Sequence, residues 1–417
     1  MDDINLKFEG QVRDARWVVV GGGAVGTAVA HALAEAGETD VLLLERGETL
    51  ACATTSQGAG LAGQLRMSMD RIHLAMRSVE TFSRLQAAPG RKPHWHQVGS
   101  LRLAHESARV AEFRALIQQS EKAGLEATLI DAVEAARLWP GMNFEGVQSI
   151  LWIPSDGFVV TTELAASYAW HAQRLGARLM TDTRVDRVLT EGGRVTGVET
   201  SRGTIRCEWL VNAAGAHAYH LASLAGLELP IVPVRHEYFV TAPLGGLHDG
   251  LPTFRAPDLT LYGRVRDGGL LLGGWEPEAL ALDPRTFSNS QTSPEIRPDW
   301  PVLNRFAKLF SDLYPGGVEA PKPRVYKGWP TFTPDGQFIV GESSKVPGFV
   351  MAGGCNAHGV SGSGGLARHL LESLFDRNPS DYVRSMSPDR YPEGSWSWDQ
   401  AQKTARQVYE TYYALSH

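Results

Sequence analysis

The sequence predicts an α/β (α+β) chain in which a Rossmann-type βαβ dinucleotide-binding domain is interleaved with an antiparallel-sheet domain. Three observations predict it. The apolar run Arg16–Val20 leads straight into GGGAVG, a helical pattern and a second apolar run closed by Glu45. Alternating segments broken by turn glycines recur over residues 184–215 and 231–274. An apolar strand with a glycine-rich segment then returns at 349–365. The two kinds of segment alternate along the chain, so a single linker between two domains is not expected.

The first unit has a mechanical reading at each position. Gly21, Gly23 and Gly26 form G-x-G-x-x-G, and the pattern from Ala24 to Ala36 is Ala-rich. Gly21 permits the tight turn, Gly23 lets backbone approach a pyrophosphate, and Gly26 lets the helix pack close on the strand. The helix start, with Ala24 and Val25, offers unpaired N–H groups to phosphate. Glu45 stands where an acidic residue reaches the adenosine ribose, with Arg46 beside it. This acid disfavours a 2′-phosphate, so the residues leave FAD and NAD open.

Further on, Gln97–Ala104 reads as a strand, Ala108–Ala123 as an amphipathic helix and Thr161–Leu175 as another. Residues 184–215 read as a β-meander ending in the apolar strand Trp209–Val211. Residues 280–300 read as a loop, Pro301–Leu313 as a helix, and Leu366–Phe375 as the helix after the second glycine run. Beyond Asn378 only a short helix near Asp399–Ala414 is expected. ACATTSQGAG, residues 51–60, fits neither helix nor strand; its small and hydroxyl residues suit a close approach to a ligand.

The chain has 417 residues, is 43% hydrophobic and carries a formal net charge of -6, which bounds its function. That is enough for a large core and gives no electrostatic case for nucleic acid. No apolar stretch is long enough to predict a membrane span. The acidic start MDDINLKFEG does not read as a signal or transit peptide. Cys52, Cys207 and Cys355 are sparse and odd in number, which fits a reducing cytoplasm and predicts no disulfide framework. The histidines show no metal spacing, so no metal is expected.

With the first motif, Asn212-Ala213-Ala214-Gly215, Thr333-Pro334-Asp335 and GGCNAHGVSGSGG, the chain resembles the D-amino-acid-oxidase-type flavoproteins. It is most similar to their sarcosine and dimethylglycine oxidase and dehydrogenase branch. The resemblance implies FAD. Gly21, Gly23, Gly26 and Glu45 would hold the ADP half, and Val185 would meet adenine through its backbone. Ala214 and Gly215 would line the pyrophosphate region. Thr54, Thr55, Ser56, Gln57 and Gly58 would run beneath pyrophosphate and flavin, and Gly354, Gly359, Val360, Ser361 and Gly362 would approach the ring. Read from the residues, the second glycine run opens a helix whose N–H groups around Gly362–Gly365 suit the negative charge of reduced flavin. FAD-binding parts are expected at 15–95, 149–230 and 325–378, substrate-domain parts at 96–148 and 231–324, and a tail at 379–417.

The family oxidises amines by hydride transfer to flavin N5, and the imine hydrolyses to release an aldehyde. His236 and Tyr262 match the branch's active-site His and Tyr strands, and His358 falls close to the flavin. Arg66 resembles a carboxylate-binding Arg, with Arg255, Arg264 and Arg324 as rivals. Gln57 stands where relatives carry a flavin-tethering His, and Gly328 where others carry a tethering Cys, so non-covalent FAD is expected. The branch's long folate-binding region is not expected from a chain of this length. The leading expectation is an FAD-dependent oxidase or dehydrogenase acting on an N-methyl amino acid, with oxygen or another electron acceptor. The alternatives are a flavin subunit of a heteromeric sarcosine or D-amino-acid dehydrogenase, a non-catalytic flavin-binding assembly protein, and a 2-hydroxy-acid dehydrogenase. A homo-oligomer or a partner subunit fits these readings.

Overall fold

A computed structural model describes residues 12–291 and 294–415. The acidic N-terminal stretch lies outside the described residues. Among the described residues five sheets are formed, and two of them carry the architecture.

The six-stranded sheet runs in the order Ile339–Glu342, Phe349–Gly353, Trp209–Asn212, Trp17–Val20, Val41–Leu44 and Arg178–Met180. All its pairings are parallel except the first. Its strands are apolar runs because both faces are covered: Val19 and Leu43 pack against helices, and Val18 and Leu42 against the antiparallel strands of residues 185–206 and the helix Ala218–Leu224. Val18, Val19, Leu42 and Leu43 are fully buried. The Ala24–Glu35 helix is Ala-rich because it lies close between the helices Thr161–Arg174 and Ser363–Phe375.

Eight strands make the second large sheet, in the order Arg324–Gly328, His236–Val240, Gly269–Gly274, Leu261–Arg266, Thr253–Ala256, Ser100–Ala104, Ser149–Ile153 and Thr128–Ile130. It is antiparallel except where Thr253–Ala256 lies parallel to Ser100–Ala104. The fold is therefore mixed α/β, with a parallel nucleotide-type sheet and an antiparallel sheet drawn from interleaved segments.

Several local differences from the sequence reading have physical causes. The strand expected from Gln97 starts at Ser100, because Gly99 has φ +75° and the Trp152 ring fills its side-chain position. The helix expected from Pro301 to Leu313 spans Trp300–Leu309, with the Asp299 side chain accepting from Val302 N at its start. A 16-residue helix, Met69–Arg84, was not foreseen; it buries Ile72, Ala75, Val79 and Phe82 on one face. The short helix expected near Asp399–Ala414 spans Trp398–Glu410 and buries Ala401, Ala405 and Tyr409. The segment from 379 also holds a short helix, Asp381–Ser385.

Candidate active site

One long cavity joins the two sheets. At one end lie Gly21, Gly23, Ala24 and Val25, with Glu45, Arg46 and Val185 beside them. Thr54, Thr55, Gln57 and Gly58 line its middle with Ala214, Gly215, Gly359, Val360 and Ser361. At the far end stand Arg66, His236, Tyr262 and His358.

The glycine turn is built by close approach. A Cβ on Gly26 would sit 1.8 Å from the Gly21 carbonyl oxygen, and Gly21 itself has φ +119°. Both positions therefore exclude a side chain. No side chain caps the following helix, although Thr55 Oγ1 accepts from Ala24 N at 3.1 Å. Glu45 is buried and tethers its own loops, accepting from Gly22 N and Gly47 N at 2.7 Å each. A helix start whose N-cap, Gly23, has no side chain, a glycine cradle and a buried carboxylate at one end of a long cavity fit a dinucleotide.

Four of the residues expected at the cofactor do not line this cavity. Gly26 serves the close packing just described. Ser56 turns back to Ala53 O, at 2.8 Å. Gly354 follows the Phe349–Gly353 strand and packs against Thr333. Gly362 lines a second cavity instead. The helix it heads has glycines for another reason: a Cβ on Gly365 would lie 2.1 Å from Leu74 O, and one on Gly364 would lie 2.9 Å from Thr81. The Gly365 N–H is taken by Ser78 Oγ at 2.8 Å. Much of that run thus packs the helix onto Met69–Arg84. The Val185 carbonyl accepts from Asn289 Nδ2 at 2.7 Å, so a side chain of the 280–300 loop already occupies it.

At the far end the side chains form a directed chain. Tyr409 O–H donates to the Glu276 carboxylate. Its oxygen therefore accepts from His236 Nδ1–H, at 2.9 Å. His236 Nε2 is then an acceptor and takes the Tyr262 O–H at 2.6 Å. Burial holds the His236 imidazole down to about 4, so it stays neutral, and burial likewise lifts the Glu276 carboxyl above its usual range. The outermost link, the Tyr262 oxygen, keeps lone pairs for a donor in the cavity. His358 is held differently. Its Nδ1–H donates to Asn356 O at 2.7 Å and Nε2 accepts from Tyr412 O–H at 2.9 Å, while burial and then Arg66 lower it to about 3.

Tyr409, Tyr412, Tyr413, Trp275 and Glu276 were missed in the sequence. The Tyr412 and Trp275 rings stack at 3.9 Å, and both line the cavity with Tyr413. The available signal was the spacing of Ala401, Ala405 and Tyr409, one face of a helix, with Tyr412 one turn further on. Of the arginines weighed, Arg66 and Arg255 line the cavity. Arg324 pairs with Asp267, and Arg264 donates to Ala59 O and Val265 O while lying over the Phe158 ring.

Residues 16–373 match the family described as FAD dependent oxidoreductase, or DAO. The chain belongs to this family. FAD is the family's cofactor, and the cavity fits it. The chain is 30% identical over 366 residues to 4-methylaminobutanoate oxidase (formaldehyde-forming) of Paenarthrobacter nicotinovorans, covering 87% of this chain and 44% of that protein. It is 31% identical over 386 residues to the mitochondrial pyruvate dehydrogenase phosphatase regulatory subunit of Mus musculus, covering 90% and 43%. The chain thus spans less than half the length of these relatives. L-proline dehydrogenase from P. horikoshii has a similar fold, with a TM-score of 0.79 at 24% identity, covering 91% of this chain and 98% of that one. Among the described residues no helix is long and apolar enough to cross a membrane, and no group of three or more His, Cys, Asp or Glu could hold a metal.

Proposed function

We propose that this chain oxidises a secondary or tertiary amine of the N-methyl amino-acid type, releasing an aldehyde. The observation that carries the reading is His236 fixed between Tyr262 and Tyr409 at the end of the cavity opposite the glycine loop. FAD, when bound, would supply a hydride acceptor for the carbon next to nitrogen, and water would split the resulting imine, or iminium from a tertiary amine, to aldehyde and amine. The residues set up the amine for that loss. The Tyr262 oxygen accepts a hydrogen bond from the incoming ammonium, and a released proton has a path through His236 and Tyr409 to Glu276. Tyr262, Trp275 and Tyr412 add aromatic surface to this end of the cavity. Arg66 and Arg255 hold the carboxylate.

The flavin is held without a covalent bond at position 57. Gln57 Nε2 donates to Ser56 Oγ at 3.0 Å and its Oε1 accepts from Lys327 N at 3.2 Å, so both ends of the carboxamide are engaged by protein.

A second reading, a flavin-binding regulatory or assembly subunit, is favoured by the likeness to the phosphatase regulatory subunit. One experiment separates the two. Holoprotein is mixed anaerobically with sarcosine, dimethylglycine, 4-methylaminobutanoate, proline, D-amino acids and 2-hydroxy acids while flavin absorbance is followed. Bleaching by an N-methyl amino acid is expected. Protein that stays yellow with every amine overturns the enzymatic reading and leaves the second. Recovery of colour in air marks an oxidase.

A further inference from the structure

Arg255 and Arg102 lie directly opposite each other on paired strands, and Tyr262 is the cross-strand partner of Arg255 on its other side. Register partners share a face of a sheet, so Tyr262, Arg255 and Arg102 form one row. Arg66 joins them from the loop after Leu65; its Nη1 and Arg102 Nη2 both donate to the Leu65 carbonyl, at 2.8 and 2.7 Å. Like charges directly opposite one another destabilise a sheet, and buried guanidiniums do so strongly unless an anion answers them.

The anion on hand is too small a match. Asp156 is the carboxylate that faces all three, and it is fully buried. Its oxygens already accept from Gln64 N at 2.8 Å and Ser100 Oγ at 2.6 Å. Among the described residues none of the three guanidiniums forms an ion pair, whereas the buried Arg109 and the part-buried Arg235 are each paired with carboxylates. Arg255 Nη1 and Arg102 Nε are buried with no hydrogen-bond partner. Burial and the charges of Arg255 and Arg66 pull Arg102 down to about 10.

The trio stands between two chambers. Arg66 and Arg255 line both the long cavity and a second one of about 850 Å³, and Arg102 lines only the second. Of the four carboxylates that line the second chamber, three are themselves paired, Glu112 with Arg109, Asp335 with Arg390 and Asp381 with Arg384, and Asp70 forms no ion pair among the described residues.

We infer that the substrate carries two carboxylates, one held by Arg66 and Arg255 at the Tyr262 end and a second received by Arg102 on the side of the second chamber. This rests on the amine-oxidation reading for the identity of the site, and it narrows the substrate to a dicarboxylic N-alkyl amino acid.

The test uses acids that cannot be oxidised. Calorimetric titration of holoprotein compares glutarate with butyrate, and succinate with propionate. The diacid of each pair is expected to bind about tenfold or more tightly, since a second charge-assisted fork contributes well over 1 kcal/mol. Arg102→Gln is expected to bring the glutarate-to-butyrate ratio to within about twofold, and Arg102→Lys to keep part of it. Equal affinities within each pair of acids for the unmodified protein overturn the inference, and that comparison needs no variant to fold. A ratio unchanged in a folded Arg102→Gln protein also overturns it. Diacid preference without bleaching by any amine leaves the two-anion site standing and removes the oxidation reading. Bleaching by sarcosine without diacid preference does the reverse.

Discussion

Tyr409 stands 2.9 Å from His236 across a sequence separation of 173 residues, and it fixes which nitrogen of that histidine carries the proton. Because Tyr409 spends its own hydrogen on Glu276, the imidazole must donate to it through Nδ1, and Nε2 must accept from Tyr262. The Trp398–Glu410 helix, which carries Tyr409, thereby sets the polarity of the whole hydrogen-bond chain.

Tyr409→Phe removes that acceptor and breaks the path to Glu276. Loss of one hydrogen bond of about 1 to 1.5 kcal/mol predicts a rate of flavin reduction lower by about tenfold. Tyr262→Phe, which removes the hydroxyl proposed to face the amine, predicts a loss of about 10² or more. Anaerobic stopped-flow reduction measures both. A Tyr409→Phe protein that changes only substrate affinity would show that the hydroxyl has no part in the proton path.

Buried neutral histidines predict a stability that depends on pH. His236 and His358 titrate near 4 and 3 in the folded chain, against an ordinary value of 6.5. Both are depressed, so their contribution is complete above 6.5 and is lost as pH falls toward 4, where the unfolded chain binds more protons. Each site is worth on the order of 3 kcal/mol across that window. Melting temperature is expected to fall steadily from pH 6.5 to pH 4.5, with a shallower slope in His358→Gln. An equal slope in that variant would remove His358 from the account.

Gly26→Ala places a methyl group 1.8 Å from the Gly21 carbonyl oxygen, in backbone that cannot yield without opening the turn. Overpacking of this kind costs about 1–3 kcal/mol and should cut the flavin content of purified protein sharply. The ratio of visible to ultraviolet absorbance measures it. Full flavin occupancy in this variant would contradict the cradle.

Acid precipitation of the holoprotein is expected to leave all flavin in the supernatant, because Gln57 offers no ring nitrogen for attachment and Gly328 no thiol. Yellow colour in the washed pellet would point to a tether elsewhere.

The nucleotide half was legible because its demands on sequence are local. A turn that admits no Cβ at Gly21 and Gly26, an apolar strand and a terminal acid lie within thirty residues of one another. The second glycine run misled for the same reason: Gly364 and Gly365 read in one dimension as N–H donors to reduced flavin and are helix-packing positions in three. The arginine row was not legible, since Arg102 and Arg255 become neighbours only through a parallel strand pairing. Nor was the role of Tyr409 and Tyr412: the sequence suggests only a short helix near Asp399–Ala414, not the face that it buries.

The directed hydrogen-bond chain also has an order in time. During synthesis the glycine turn, His236, Tyr262 and the Gly359–Ser361 loop all emerge before Tyr409. A nascent chain could thus form the cofactor cradle while the wall that orients His236 is still inside the ribosome. Cofactor loading and catalytic competence would then be separable stages of maturation.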